Sequence, residues 1–459
     1  MTCKVKSISL NKINKYFDGQ WQGMRVASDG SCYFGSSTHS PKHGSSFFRF
    51  NPSNEELEIL AEDMTEICGE DLSKTSPQGK IHSPIVEADG WIYYTTHLSN
   101  YWEEAMLKYP GAHVIGYEIS TGKFRDFGIV KAGYTIYSAI NVDRINKKLY
   151  VFSVPFAQKD MEKDGSHLYQ IDIKTGEKAD LGKVPKTGRG ACFWFYVDDS
   201  GKCWFTVWKK FNPALWTDDN DLYCYEPDSG TIKSYRNVLP VGKLSPDGRL
   251  ADENLKKERS WTWAEGINNN KQCLFTMGWL GGGDERLWLF DPSKDIKKGE
   301  AFQPLGYIGA TFLSVACNSN RVFYIQYKNL DDARKYCSEF IREFKKENIN
   351  FEDELHLRSI SLNPEDKQKI IDHGIIIDQD NRNVTMIESM AADDNGNIFF
   401  NGSWDSLSVE ESSHQYIWQG LKDDYAEMCD TFKGEKINTH KLMNRGQFFS
   451  YTNVQDDLK

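Results

Sequence analysis

Six of the ten histidines in this chain stand directly before or after an alternating hydrophobic run. They are His39, His82, His97, His113, His167 and His414. Other residues at equivalent positions are Tyr137, Arg189, Trp208, Trp279, Arg286 and Trp404. Histidine moves protons near neutral pH, arginine holds a carboxylate through paired hydrogen bonds, and aromatic faces stack on rings. Together these residue types suit a sugar acid as the ligand.

The chemistry that such residues can perform is β-elimination on a 4-linked uronate. The C5 proton becomes removable once the adjacent carboxylate is neutralised, and Arg189 or a protonated histidine would stabilise the developing enolate charge. A neutral histidine or a tyrosinate would take the proton, and a tyrosine or histidine would return one to the leaving oxygen. No metal is obligatory for this reaction.

The hydrophobic runs belong to a repeated unit, an alternating strand, a Gly/Asn/Asp turn and a second alternating strand. Seven copies occur at intervals of 50 to 75 residues. Their turns are marked by Asp29, Asp89, Asp143, Asp198, Asn268, Asn318 and Asp393. A second, more polar hairpin follows in each unit, for example at 113–127 and 167–181. A hairpin repeated in this way buries its apolar faces only by stacking on its neighbours.

Two hairpins per unit predict an all-β fold, a seven-bladed β-propeller of four-stranded antiparallel blades, occupying residues 1–459 as one domain. A three-stranded solenoid is the competing architecture, and the polar second hairpins favour the propeller. Helical spacing over 331–347 predicts a short helix inserted into blade six. Residues 5–10 are predicted to add a strand to the last blade, 414–418 to complete that blade, and the tail at about 419–459 to be irregular.

Composition limits the classes of partner. The net charge is −11 and the pI about 5.5, which argues against nucleic acid and anionic membranes. No apolar run reaches the length of a membrane span. The start lacks the apolar core of a signal peptide, so a cytoplasmic protein is predicted as written, or a secreted or periplasmic one if a leader was trimmed. GxSxG, P-loop and HExxH motifs are absent.

The segment 80–181 resembles the corresponding part of the seven-bladed propeller polysaccharide lyases, such as ulvan lyases and rhamnose–glucuronate lyases. The matching stretches are KIHSPIVEADGWIYYTTH, YPGAHVIGYEISTGKFRDFG, IYSAINVDRINKKLYVF and HLYQIDIKTGEKADLG. The resemblance covers about a quarter of the chain. It implies a lyase that cleaves a uronic-acid-containing glycan.

The resemblance also implies site residues. Two histidines serve the elimination in that family, and they correspond here to His97 and His113. The family's tyrosine and arginine do not transfer, because Val154 and Gln170 stand near their places. Tyr137 and Arg189 are predicted to replace them as catalytic residues. The substrate-binding candidates are His82, His167, Trp208, Trp279, Arg286 and Trp404.

Two other functions stay open at this level. One is a non-catalytic propeller that binds carbohydrate or protein. The other is a metal-dependent hydrolase or lactonase, with a zinc or calcium ion held on the same face by candidates such as His82, His97 and His113. The ten cysteines form no CxxC pair and are interpreted as buried thiols, although a zinc site using some of them is also compatible with the sequence. Oligomeric state is not predicted.

Overall fold

Two short strands open the chain, and their partners lie far along the sequence. β1 is Thr2–Lys4 and β2 is Lys6–Ser9. The computed structural model describes residues 1–99, 103–136, 139–155, 164–184, 195–212, 215–218, 221–239, 260–267, 272–278, 286–307, 314–327, 355–363, 365–366, 369–405, 407–411 and 445–458.

The strands that follow form four-stranded units in chain order. Sheet one contains β3 (Met24–Val26), β4 (Cys32–Ser36), β5 (Ser46–Asn51) and β6 (Glu56–Ala61). The short helix α1 (Met64–Ile67) comes next. Sheet two contains β7 (Val86–Ala88), β8 (Trp91–Thr95), β9 (His113–Glu118) and β10 (Phe124–Ile129), with α2 (Glu103–Lys108) between β8 and β9. Sheet three contains β11 (Ile140–Asp143), β12 (Lys148–Ser153), β13 (His167–Asp172) and β14 (Lys178–Lys183).

The same order continues in the second half. Sheet four contains β15 (Tyr196–Val197), β16 (Cys203–Phe205), β19 (Leu222–Glu226) and β20 (Thr231–Tyr235), interrupted by the hairpin β17 (Trp208–Asn212) and β18 (Leu215–Asp218). Sheet five contains β21 (Ser260–Ile267), β22 (Gln272–Gly278), β23 (Arg286–Phe290) and β24 (Phe302–Tyr307). Sheet six contains β25 (Val315–Cys317), β26 (Arg321–Tyr327), β27 (Leu355–Ser361) and β28 (Ile370–Ile377). Sheet seven contains β29 (Val384–Ala392), β30 (Asn397–Asp405) and β31 (Arg445–Asn453), and two 3₁₀ turns cover Val409–Glu411 and Gln455–Leu458.

Each sheet packs on the next one in the chain. Apolar clusters join sheets one to two, two to three, three to four, five to six and six to seven. Sheets four and five meet through Trp204 and Phe290, whose ring centroids lie 5.4 Å apart. Phe449 of sheet seven stacks on Phe34 of sheet one at 4.7 Å. The packing thus returns to its start, which confirms the predicted all-β propeller of four-stranded antiparallel sheets.

The beginning of the chain completes the last sheets. β2 lies antiparallel to β31, so sheet seven has the order β2-β31-β30-β29. β1 lies parallel to β28 at the outer edge of sheet six. The prediction that residues 5–10 add a strand to the last blade is therefore confirmed, because β2 falls within that segment.

The predicted C-terminal tail is wrong in its last part. Residues 445–453 form β31, which pairs along its whole length with β30 and is the third strand of sheet seven. Its alternation begins after a long polar stretch, which is why the sequence pattern did not assign it to that blade. The predicted strand at 414–418 and the predicted helix at 331–347 lie outside the described residues. None of the helices in the described part of the chain combines the length and apolar character needed to cross a bilayer.

An acidic or amide side chain organises the first turn of several sheets. The carboxylates of Asp29, Asp198 and Asp393 each accept the backbone N–H two residues on, at 2.9 to 3.0 Å. Such Asx turns satisfy backbone donors that the reversing chain leaves unpaired. This is the physical reason that these residue types mark the repeat.

These turns also touch the neighbouring sheet. The Asn318 side chain donates to the Asp393 carbonyl at 3.0 Å, and Lys147 Nζ lies 2.6 Å from an Asp89 oxygen. At the turn between β15 and β16, a Cβ on Gly201 would lie 2.5 Å from Asp143 Oδ2 of sheet three. The turn ends of adjacent sheets are therefore in close contact.

Replacing Gly201 with alanine tests this contact. Gly201 has φ of +75°, and Gly30, in the equivalent turn of sheet one, has φ of +80° with nothing within 4 Å of its added Cβ. Gly30→Ala should lower the unfolding free energy by about 1–2 kcal/mol, the cost of a left-handed backbone for alanine. Gly201→Ala should cost clearly more, because Asp143 must also move. Urea unfolding of both variants measures the two losses of unfolding free energy. Equal losses would show that the turn at Gly201 is not in close contact with Asp143.

Candidate active site

Three of the predicted histidines come together between sheets one and two. His39 follows β4, His82 precedes β7, and His97 follows β8. The backbone holds two of these segments side by side, because the Lys80 N–H donates to the His97 carbonyl at 3.1 Å and the His97 N–H donates to the Lys80 carbonyl at 2.8 Å. Lys80 and His97 thus form an isolated antiparallel bridge, and the Gly79 carbonyl accepts the Thr38 N–H, so this segment lies between the chain after β4 and the chain after β8.

The rings of these histidines gather around one tryptophan. Trp21 lies 5.5 Å from His82 with the rings nearly parallel at 17°, and 5.4 Å from His39 with the rings at 75°. His82 in turn meets His97 edge to face at 5.6 Å. The Lys80 ammonium lies 5.2 Å from the centre of the Trp21 ring, within the range of a cation–π contact. We call Trp21, His39, Lys80, His82 and His97 the Trp21 cluster.

Burial dominates the electrostatics of the Trp21 cluster. Lys80 is only 1% exposed, and burial lowers its pKa to about 7 against the opposing attraction of Asp18. Burial, assisted by the nearby Lys80 charge, lowers the pKa of His82 to about 3. Since the charged forms are disfavoured in this setting, His82 is a neutral ring near neutral pH and Lys80 is divided between amine and ammonium.

Two carboxyl groups border the cluster. Asp18 Oδ2 lies 2.9 Å from His39 Nδ1 and also accepts the His39 backbone N–H. Burial lowers the pKa of His39, while Asp18 opposes this shift. Glu388, on β29 of sheet seven, is buried and accepts the Gln20 N–H at 2.8 Å. Burial raises the pKa of Glu388 to about 8, so this side chain is largely a neutral carboxylic acid at neutral pH.

The members of the Trp21 cluster differ in their access to solvent. The His97 side chain is fully enclosed, and its Nδ1 contacts the hydroxyl of Thr135, which lies just before sheet three. Trp21 is partly exposed, and the His39 side chain retains 13% of its accessible surface. A ligand arriving from solvent therefore meets His39 and Trp21 first.

His97 and His113 have different side-chain partners. The N–H of Thr96 donates to the His113 carbonyl, and the His113 N–H donates to Thr96 Oγ1, so Thr96 is the cross-strand partner of His113. His97 is the next residue along the chain, and its Nδ1 contacts the Thr135 hydroxyl.

His113 instead lies between two carboxylates. Its Nδ1 is 2.8 Å from Asp126 Oδ2, and its Nε2 is 2.8 Å from Glu70 Oε1. Burial disfavours the imidazolium, but hydrogen bonds with Asp126, Cys68 and Glu70 outweigh it and raise the pKa of His113 to about 11. A ring with both nitrogens engaged in this way is not a general base near neutral pH. Of the predicted metal candidates, His82 and His97 contact each other, whereas the contacts of His113 are with Asp126 and Glu70.

The other predicted residues fall elsewhere. His167 begins β13, with Nδ1 2.9 Å from Asp180 and Nε2 3.3 Å from Asp164. Trp404, predicted to bind substrate, is not at the surface. Its ring is wholly buried in the core between sheets six and seven, and its Nε1–H donates to Ser450 Oγ at 3.1 Å. Trp208 lies in β17 and Arg286 begins β23, and only the backbone of these two residues is described. Tyr137, Arg189, Trp279 and His414 lie outside the described residues.

Four residues of the site were missed by the sequence analysis, namely Asp18, Trp21, Lys80 and Glu388. Lys80 carried a signal, since it precedes His82 by two residues and side chains two apart in an extended segment share a face. Glu388 also gave a sequence signal, because it is a lone acidic residue within an alternating apolar strand. Asp18 and Trp21 lie in an irregular segment between β2 and β3, where no pattern places a side chain.

Comparison with known proteins gives distant likenesses only. No protein-family model matches the chain, and no curated protein matches it. Among solved structures, an oligogalacturonate lyase from Vibrio parahaemolyticus is 10% identical, with 96% of this chain and 92% of that chain covered, at a TM-score of 0.49. An oligogalacturonate lyase in complex with manganese is 11% identical over 96% and 91% of the two chains, at 0.45. The β-propeller domain of a protease from Pyrococcus furiosus is 10% identical over 84% and 91%, at 0.42. At these values the likenesses do not bear on activity, and the resemblance to ulvan lyases stays a prediction.

Replacing Lys80 with methionine should change how stability depends on pH. The folded pKa of Lys80 is about 7 and the ordinary value is 10.5, so the unfolded chain binds the extra proton between these values. Lys80 therefore makes the unfolding free energy rise as the pH increases from about 7 to about 10.5. This gain in unfolding free energy is lost again as the pH falls through that range to 7. Lys80→Met should remove the rise and stabilise the protein most below pH 7.

Urea unfolding at several pH values, taken as the difference between wild type and variant, isolates the Lys80 contribution. Lys42→Met, at an exposed lysine, is the matched control and should leave the profile unchanged. A difference that is flat with pH for Lys80→Met would contradict the burial of an unfavourable charge at this position.

Proposed function

We propose that the protein is a polysaccharide lyase that cleaves a uronic-acid-containing glycan by β-elimination at the Trp21 cluster. The observation that carries this proposal is the buried Lys80 ammonium beside neutral imidazoles, 5.2 Å from the Trp21 ring. A buried cation whose pKa is lowered to about 7 gains its charge fully when an anion arrives. A carboxylate is the part of a uronate that supplies such an anion.

Lys80 would neutralise the substrate carboxylate. A carboxylate next to Lys80 favours the ammonium form, and the ammonium in turn withdraws charge from the carboxylate and lowers the barrier to removing the C5 proton. In a water-excluded site this attraction is stronger than in bulk solvent. Arg189 was predicted for this role, and Lys80 fills it from within the described residues.

His39 would act as the general base. Asp18 beside Nδ1 orients the ring and supports the imidazolium that forms, which leaves proton transfer to Nε2. His39 is also the histidine of the cluster with solvent access, so a glycan can reach it. In this proposal His97, predicted as catalytic, is a positioning residue that supports His82.

The bond changes balance without an external reactant. His39 Nε2 takes the C5 proton, the C4–O bond breaks, and a C4–C5 double bond forms in the uronate. The same proton passes from His39 to the departing glycosidic oxygen, which restores the neutral imidazole. Glu388, held largely neutral by burial, adds no negative charge that would oppose binding of an anionic glycan.

An ultraviolet assay for the unsaturated uronate tests the proposal. Glycans containing glucuronate, iduronate or galacturonate would be incubated with the protein, with and without a chelator. Rising absorbance with one glycan supports elimination and names the substrate class. A flat trace with saturable binding contradicts catalysis and favours a carbohydrate-binding propeller, an outcome that the enclosure of His82, Lys80 and His97 would explain.

Substitutions in the Trp21 cluster should then reduce turnover on the glycan that the assay identifies. His39→Gln should lower kcat by roughly 10²–10⁴-fold, the usual contribution of a positioned proton-transfer group. Lys80→Met should lower it by about 10²–10³-fold, because the enolate charge loses its stabilising partner. His356→Gln is the matched control, since this partly exposed histidine of sheet six pairs with Asp372. Full activity in both cluster variants, with circular dichroism unchanged, would overturn the assignment.

A further inference from the structure

A second group of chemically reactive side chains lies at sheet two, where β9 begins beside β10. Cys68, His113 and Asp126 place a thiol sulfur, an imidazole nitrogen and a carboxylate oxygen within 4.8 Å of one another. His113 is buried, Cys68 is half-buried and Asp126 reaches the surface. This thiol–imidazole–carboxylate group takes no part in the elimination proposed above.

Helix α1 positions the cysteine. The Asp63 side chain caps its first turn by accepting the Thr65 N–H at 2.8 Å, and the Cys68 N–H ends it by donating to Met64. Gly69 then adopts φ of +67° and reverses the chain. As a result Cys68 and Glu70, on either side of this reversal, both reach the ring of His113.

An irregularity in β10 positions the aspartate. The register with β9 shifts between Asp126 and Ile129, and such a bulge re-aims the side chains beside it. The Gly128 N–H donates to Asp126 Oδ1 at 2.6 Å, which leaves Oδ2 directed at His113 Nδ1. The carboxylate is thereby oriented before any ion binds.

The far side of the imidazole is held by a chain of hydrogen bonds. Glu70 Oε1 lies 2.8 Å from His113 Nε2, and Gln78 Nε2 donates to Glu70 and to the Gly111 carbonyl. The Tyr109 hydroxyl donates to the Gln78 side-chain oxygen at 2.9 Å. A carboxylate on the second nitrogen is the usual partner of a metal-binding histidine, because it fixes the ring and makes the first nitrogen a better donor.

We propose that Cys68, His113 and Asp126 bind one zinc ion. The ion would lie on the Nδ1 side of His113, with Glu70 orienting the ring from Nε2. A thiolate with an imidazole selects zinc over calcium, magnesium or manganese, which prefer oxygen donors alone. The three protein ligands would occupy three positions of a tetrahedral site, and a water molecule would occupy the fourth. The site does not depend on the proposed function, and its test uses no glycan.

Such an ion would link α1 to sheet two. Gln78, which contacts Glu70, lies two residues before Lys80 in the segment that enters the Trp21 cluster. The zinc site would therefore hold the beginning of that segment through Glu70 and Gln78. Its expected role is to hold the loop in place, since metal binding contributes its free energy to the folded state.

Cobalt substitution tests the site directly. The full-length protein, stripped with a chelator and titrated with Co²⁺, should bind one equivalent and develop the thiolate-to-cobalt absorption band together with the visible bands of tetrahedral cobalt. Added Zn²⁺ should displace the cobalt and abolish both. Cys68→Ser should eliminate the thiolate band and lower Zn²⁺ affinity by at least about 100-fold, and Glu70→Gln should lower it by about 10–100-fold.

Cys317→Ser is the matched control, because Cys317 is also a half-buried cysteine but belongs to sheet six. It should keep both the band and the affinity. Circular dichroism of each stripped variant establishes that the fold is retained. Absence of stoichiometric cobalt binding in the wild type, or a thiolate band that survives in Cys68→Ser, would overturn the proposal whatever the result of the lyase assay.

Discussion

The structure depends on the pairing of a strand near residue 6 with a strand near residue 450. β2 lies antiparallel to β31, and this pairing completes sheet seven and lets it pack against sheet one. A sheet edge left unpaired exposes a row of backbone donors and acceptors, and circular closure removes that edge. The ring of sheets is thus closed by backbone hydrogen bonds between the two ends of the described fold.

The same closure assembles the candidate active site. The segment between β2 and β3 carries Asp18 and Trp21, and it is held to sheet seven because the Gln20 and Gln22 N–H groups donate to Glu388. His39, Lys80, His82 and His97 come from sheets one and two. Trp21 contacts His39, Lys80 and His82, and its own segment is held by sheet seven, so the cluster draws on sheets seven, one and two. A change at the seam therefore disturbs the site even though it touches no residue proposed to act on substrate.

Sequence patterns predicted the fold better than the site. Alternation and Asp- or Asn-marked turns located the hairpins, because period-two burial and Asx turns are local properties. They did not locate β31, since its partner strand β30 lies across a long polar stretch. For the site, strand-end position showed correctly that His39, His82 and His97 belong to one end of the sheets. It did not show which strand-end side chains the core encloses, and Trp404 is such a side chain. Lys80 and Glu388 were missed because charged residues are normally exposed, and their burial follows from sheets distant in sequence.

The seam between β2 and β31 has a consequence for how the chain folds during synthesis. The hydrogen bond from the Thr452 hydroxyl to the Lys4 carbonyl spans 448 residues of sequence. Contacts of such separation form late, and they are reached only after the intervening chain has been ordered. While a ribosome adds the first six sheets, β2 has no partner strand to pair with, and the emerging protein is an open arc with two exposed edges. Translation of residues 445–453 is therefore the event that converts this arc into a ring, and until then the nascent chain relies on its own edge residues or on chaperones to avoid pairing with other chains.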